Sequence, residues 1–519
     1  MVSCGRGGQA WRSFNNIVST MKLISFFLLL LTYSLSLAAS DANQQSTNTA
    51  VTPEPLIAVA DVKADLQQLY ESLQLAHADL YANTDKQTYD AHYNRLMATV
   101  RQPMSRLQAA IMLQKFVALS KVAHARIDYV SDAFEAYRAK GGKALPIYVR
   151  IDDGRWTVTE NFSGQPIPIG AEILALNSEP VDVWFKRMRA HISADTDAIA
   201  ASLLEYQMPM YLWLLGLEAG TNTDEYEITF AVDNKRTHAT VKARTRAELE
   251  QNTASKPSDD EATTESGLRS FRMLNETIGY LQPGPFYHAE SPANLWDNQA
   301  FAALMDAAFE LFLEQNASDL LIDLRDNPGG DNSFSDLMIS WYADRPFRFA
   351  DKFIVRSSPQ AKASNAQRMK TQSSPNPVSA QLAEQYEKSP VGTNFDFPIP
   401  DSVPREDSRY TGRIWVLIDR HSYSNAVSVA AITQDYGFGK VIGESTTDFA
   451  TTYGAMETFE LARTGLTVGF PKALIVRPSG DRQPGPVVPD VELDLDALEG
   501  DADMVRLIQK LRLASEKDA

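Results

Sequence analysis

LLIDLRDNPGG, Leu320 to Gly330, and WVLIDRHSYSNAVSVAAITQDYG, Trp415 to Gly437, decide the fold between them. Each opens with a short apolar run, Leu320 to Ile322 and Trp415 to Ile418, that reads as a buried strand. The first strand ends in Asn-Pro-Gly-Gly, where paired glycines let the backbone turn sharply and aim N–H groups at a ligand. The second ends in a short polar turn, and a helix begins at Asn425. That geometry exposes the Ser424 oxygen beside the unsatisfied N–H groups and positive dipole end of the helix. Working outward, a strand from Ile278 to Leu281 precedes a helix with Phe301, Leu304, Met305, Ala308 and Leu311 on one face. A helix after Ser333 and strands near Val441, Phe459 and Val468 complete an alternation that predicts a layered α/β domain with right-handed crossovers.

The rest of the chain sorts into segments. Residues 1–39 carry three charges, Arg6, Arg12 and Lys22, then an apolar run from Leu23 to Leu31 and small residues at Ser36-Leu37-Ala38. This is a secretory signal layout with Met21 as the expected start, and the run is shorter than the roughly 20 residues of a membrane span. A periplasmic or secreted mature protein without stable membrane insertion is expected. Its only cysteine, Cys4, would leave with the signal, so no thiol nucleophile, disulfide or thiolate metal site remains. Residues 40–58 read as a flexible leader and 59–142 as a helical domain, with Leu66, Leu69, Tyr70 and Leu73 on one face. Residues 143–244 read as a β-rich domain of short alternating strands around one helix near Val181 to His191. Residues 245–267 read as a linker, 268–498 as the core and 499–519 as a tail. The Ser, Pro and Gln-rich stretch 357–408 reads as an insertion in the core, either a lid or disordered. The formal charge of −17, becoming −20 without the signal, argues against nucleic acid as a partner. Seven scattered histidines show no metal-ligand spacing, and no phosphate-binding glycine motif or other cofactor site is visible.

Taken singly, an N-cap serine and a glycine turn are ordinary. Together, DLRDNPGG, SYSNAVSVAAITQDYGFGKVIGE and VVPDVEL (Val487 to Leu493) resemble the signature segments of the tail-specific, or C-terminal processing, protease family, which includes the tricorn-protease core. The order of helical front (HADLY, HARI), middle segment IPIGAEILALNSEPV and core follows that family. The resemblance implies an α/β fold with a crotonase-like ββα spiral core, an N-terminal helical bundle and a PDZ-like β-rich insert. It also implies a serine-type endopeptidase acting on a peptide or unfolded-protein substrate, with Ser424 rather than Ser422 as nucleophile. The oxyanion donors it implies are the N–H of Asn425 with that of Gly329 or Gly330.

Two departures concern the base and its acid. Where serine-lysine members carry their lysine, this chain has STTDFATTYG with Phe449 at the matching place. The tricorn branch takes a histidine from the helical front, and His124 in VAHARI resembles it, although Ala123 stands where that branch has a further serine. His124 is the expected base, since imidazole needs little pKa adjustment; His421 and Lys472 are alternatives. The glutamate expected seven residues before Asp490 is Gln483, and Asp481 is the candidate orienting acid. These departures keep open a second reading, a catalytically weak or inactive peptide-binding protein. Acyl-ester or thioester chemistry is a weaker third. Oligomeric state is not legible.

Overall fold

The computed structural model describes residues 55–515 except 222, 254–267, 292–293, 372–376 and 499. The expected signal segment and most of the expected leader therefore lie outside the described residues, as does most of the expected linker. Four helices open the chain: α1 Val59–Ala76, α2 Lys86–Thr99, α3 Arg106–Ala118 and α4 Tyr129–Ala139. The face expected on α1 is buried at Leu66, Leu69, Tyr70 and Leu73. A capping box closes the start of α3, with Ser105 and Gln108 satisfying each other's backbone N–H.

An antiparallel sheet follows, β1 Ile147–Asp152, β2 Arg155–Asn161, β3 Glu172–Leu176, β4 Glu179–Pro180, β5 Glu225–Val232 and β6 Lys235–Lys242, with the order β1-β2-β3-β5-β6 and β4 on β3. Two helices interrupt it, α5 Val181–Arg189 and α6 Asp197–Ala219, whereas sequence reading expected one. The longer helix α6 is apolar nearly all round and contains Pro209, so it shows neither a clean amphipathic stripe nor an uninterrupted helical pattern. Thr196 caps its first turn. After α7 Arg246–Thr253 the chain enters the central sheet: β7 Ser270–Met273, β8 Ile278–Gln282, α8 Gln299–Glu314, β9 Asp319–Asp323 and α9 Asn332–Ser340.

A second antiparallel sheet is built from β10 Lys352–Arg356 and later strands. Between them lie α10 Pro359–Thr371, α11 Pro377–Lys388 and β11 Asn394–Asp396. The 357–408 stretch is thus largely two helices and a strand paired to β10, not a structureless insertion. Its anchors, Ala361, Leu382, Tyr386 and Phe397, are buried but too sparse to register as a periodic pattern. The core closes with β12 Arg413–Ile418, α12 Asn425–Tyr436, β13 Lys440–Gly443, β14 Thr452–Glu460, β15 Thr467–Val476, β16 Val491–Glu492 and α13 Asp501–Ser515.

The central sheet runs β16-β13-β12-β9-β8-β7, parallel except for β7. Its central strands β9 and β12 are buried along nearly their whole length because both faces are covered. Ile414, Val416 and Ile418 of β12 pack with Leu320 and Ile322 beneath α8, α9 and α12. Trp415, Leu417 and Leu321 point the other way, onto Met504, Ile508 and Leu511 of α13. The expected C-terminal tail is therefore a helix that closes one face of the sheet. Among the described residues no helix is long and apolar enough to cross a membrane.

Candidate active site

The turn after β9 and the turn after β12 are stitched together before any chemistry is considered. Ser422 Oγ donates to the Leu324 carbonyl at 2.7 Å and accepts from Asp419 N–H at 3.1 Å. The Tyr423 N–H donates to the Asn327 carbonyl, and Asn327 Nδ2 reaches the Gly284 carbonyl at 2.6 Å. Ser422 is wholly buried in this seam. Ser424 emerges from it as the N-cap of α12 at φ 53°, ψ −117°, a conformation that is strained for a residue with a Cβ.

Gly329 lies directly beneath Ser424. A Cβ built on it would stand 2.5 Å from the Tyr423 oxygen and 2.6 Å from Asn425 N, and its φ is +83°, so only glycine fits. Its own N–H is taken by the Asn327 side chain at 2.9 Å. Among the described residues the N–H groups of Gly330 and Asn425 have no partner, so Gly330, not Gly329, is the glycine left to donate.

His124 arrives from the opposite side. The loop after α3 is bridged to β15 by reciprocal Arg126–Gly469 backbone hydrogen bonds of 3.1 and 2.8 Å. This places His124 Nε2 3.4 Å from Ser424 Oγ, across 300 residues of chain, with its ring stacked on Tyr423 at 5.3 Å. Burial pulls the imidazole down to about 4, against the opposing pull of the Asp195 charge, so the ring is neutral at pH 7 and able to accept a proton. His124 Nδ1 is buried without a hydrogen-bond partner, though the Tyr453 main chain favours the charged ring.

The other candidates lie elsewhere. His421 Nε2 is 2.7 Å from Glu205, and its Nδ1 faces Asp326 at 3.5 Å and Asp419 at 3.9 Å. Burial opposes its charge, but these carboxylates outweigh it and push the ring up to about 10. A permanently protonated imidazole cannot serve as the base. Asp326, Asp419 and His421 are also the described residues whose ligand atoms come within metal-binding reach of one another, and the same proton argues against ligation. Lys472 is buried in an ion pair with Glu457 at 2.5 Å, and Arg368 holds the same carboxylate. Burial lowers the Lys472 ammonium, but its hydrogen bond is committed to Glu457. Asp481 is exposed in a turn where its carboxylate accepts the Gln483 N–H, and it makes no hydrogen bond to His124.

Two acids that sequence reading did not single out stand beside the site. Asp195, just before α6, accepts the Ala123 N–H at 3.0 Å and carries the largest favourable charge acting on His124. Asp448, in the loop between β13 and β14, accepts the Ser424 N–H at 2.7 Å. Asp448 falls within the very segment searched for a lysine, so a search for any titratable group there would have met it. Asp195 has no local signal.

The site opens into a cleft of about 840 Å³. Tyr287, Phe449, Met210, Phe353 and Leu382 supply much of its apolar wall, and α10 and α11 form one side.

Residues 278–493 match the model of Peptidase family S41. All three signature segments read from the sequence lie within that span. No curated protein matches the chain. The solved structure of mature CPAF complexed with lactacystin superposes with a TM-score of 0.62 at 16% identity, covering 88% of this chain and 98% of that one. Mature CPAF alone gives the same score and identity, with 97% of its chain covered. The photosystem II D1 C-terminal processing protease aligns over 84% of this chain and 94% of its own at 14% identity and a TM-score of 0.44.

Proposed function

Since residues 278–493 match the model of Peptidase family S41, we propose that the chain is an exported serine-type endopeptidase that cleaves peptide bonds through an acyl-enzyme on Ser424. The observation that carries this reading is the meeting of His124 Nε2 and Ser424 Oγ at 3.4 Å, from opposite ends of the chain. Neutral His124 takes the hydroxyl proton as Ser424 attacks the carbonyl, then returns it to the leaving amine. The Asn425 and Gly330 N–H groups receive the oxyanion, each worth roughly 3 kcal/mol in the transition state. Peptide or unfolded protein suits a cleft whose wall alternates apolar side chains such as Tyr287, Phe353 and Leu382 with charged ones such as Arg126, Asp297 and Asp331. In the same proposal, the core is a crotonase-like spiral and the sheet β1–β6 a PDZ-like module that pairs with an extended chain. Signal removal near Ala38 would release the mature chain to the periplasm or medium.

A catalytically weak peptide-binding protein is the second reading, favoured by the exposed position of Asp481 and by the lack, among the described residues, of a carboxylate bonded to His124 Nδ1. Labelling of the purified protein with a fluorophosphonate, read by intact mass, separates the two. Stoichiometric labelling of wild type that vanishes in Ser424→Ala supports the enzyme; a folded wild type that stays unlabelled would sink it.

A further inference from the structure

Asp448 is 1% exposed, and no cation among the described residues pairs with its carboxylate. One oxygen, Oδ2, accepts the Ser424 N–H, while Oδ1 is buried and, among the described residues, has no side-chain partner and only the pull of the neighbouring Phe449 N–H. The ionisable groups that face it are Asp195 and Tyr423, with His124 across Ser424. A buried carboxylate in such company weakens the fold, and a neutral residue of similar shape would be tolerated better. What it touches is the backbone of the proposed nucleophile, held at φ 53° where a serine does not rest unaided.

We propose that Asp448 is a positioning residue for the nucleophile: its charged carboxylate anchors the Ser424 N–H, maintains the strained turn that aims Oγ at His124, and withdraws that N–H from the oxyanion site. The converging donors are then those of Asn425 and Gly330 alone. The inference rests on the serine-peptidase reading above. Burial pushes the Asp448 carboxyl up to about 6, against the pull of the Ser424 and Phe449 N–H groups, so the anchor weakens as the pH falls through that value. His124, held near 4, stays neutral well below it. An acid limb near pH 6 is therefore expected from Asp448 and not from the base; the other carboxyls raised to about 6, Asp336 and Asp419, bond Ser402 and Ser422 and not Ser424.

The sign for stability is opposite to that for activity. A carboxyl whose folded pKa is raised from 3.8 to about 6 stabilises the fold at low pH, and that contribution is lost as the pH rises through the same interval. Replacing Asp448 by asparagine, which still offers an oxygen to Ser424 but cannot ionise, should leave the melting temperature at pH 7 equal or higher while slowing the chemistry.

The test is the second-order rate of fluorophosphonate labelling from pH 4.5 to 8, as an order-of-magnitude survey about the Asp448 and His124 values, for wild type, Asp448→Asn and Asp195→Asn, each with a melting curve. The expected result has three parts: a wild-type limb near pH 6, its disappearance with about tenfold slower labelling in Asp448→Asn at undiminished melting temperature, and its persistence in Asp195→Asn. Asp448→Asn retaining the wild-type rate and limb overturns the proposal, as does a slower rate with a lower melting temperature and an unchanged limb, which marks a merely structural residue. Loss of the limb in Asp195→Asn alone transfers it to Asp195 and likewise overturns it. A wild type that is never labelled refutes the serine-peptidase reading itself, a distinct result from failure of the Asp448 assignment.

Discussion

Ser424 and His124 divide the work of one proton transfer, and the residues around them predict what each substitution does. Gly329→Ala must push a Cβ to within 2.6 Å of Asn425 N, the atom proposed to hold the oxyanion. We expect labelling and turnover to fall by about 10² to 10³, the loss typical of one misplaced donor, with the protein still folded by circular dichroism. His124→Ala should lower kcat by about 10⁴ at neutral pH, measured on any peptide that wild type cleaves. His421 predicts a different phenotype. Its folded pKa of about 10 lies above the ordinary 6.5, so the ion pairs it makes stabilise fully below pH 6.5 and fade as the pH rises toward 10. Melting temperature should decline over that window in wild type and much less in His421→Gln. His421→Ala should cost about 3–5 kcal/mol at pH 7, because Glu205, Asp326 and Asp419 lose their shared cation. A flat wild-type profile between pH 7 and 9.5 would be inconsistent with that charge state. From one sequence, two histidines and a lysine competed for the role of base. Only their neighbours separate them: carboxylates around His421, Glu457 on Lys472, and a hydroxyl beside His124.

Among the elements, those with strong periodicity or continuous apolar runs stand where the residues placed them: α1, α3, α8, β9, β12 and α12. Those missed share a physical cause. The α6 helix carries apolar residues on every side and a proline in its middle, so neither stripe nor stop signal marks it. The pair α10 and α11 is polar except for a few contacts, such as Leu382 and Tyr386, that only the facing sheet reveals as buried. The α13 helix follows the last strand as a charged segment whose apolar residues Met504, Ile508 and Leu511 find their partners on the back of β12 and β9. Ile508 is fully buried there, and Ile508→Ala should destabilise by about 2–5 kcal/mol in denaturant unfolding. Fluorophosphonate labelling of the folded fraction should be unchanged, since α13 packs on the opposite side of the sheet from Ser424. A proportional loss of labelling in that fraction would show that the two faces are coupled.

At the scale of the whole molecule, the β1–β6 sheet, the helix α6 and the core of residues 278–493 meet at one polar seam. Arg420 binds Asp152 and the Ile151 carbonyl of β1, and Arg150 of the same strand binds Glu444 after β13. Glu205 of α6 holds His421, while Tyr206 of α6 donates to Asp326 in the turn that carries the glycines. Both loops of the proposed site are therefore braced by α6, and Glu205→Ala should lower kcat as well as stability, whereas a surface change such as Arg155→Ala should leave both untouched within error. Equal effects of the two on kcat would remove α6 from the account. The amino-acid sequence by itself determined the parallel core strands, the serine at a helix start and the glycine turn, because apolar runs, caps and glycines act over a few residues and leave local marks. Tertiary structure alone decided which histidine faces Ser424, which glycine N–H is free, and that Asp195 and Asp448 rather than Asp481 stand beside the site. Those outcomes depend on burial and on charges brought together across hundreds of residues, and neither burial nor such a meeting has a signature in local sequence.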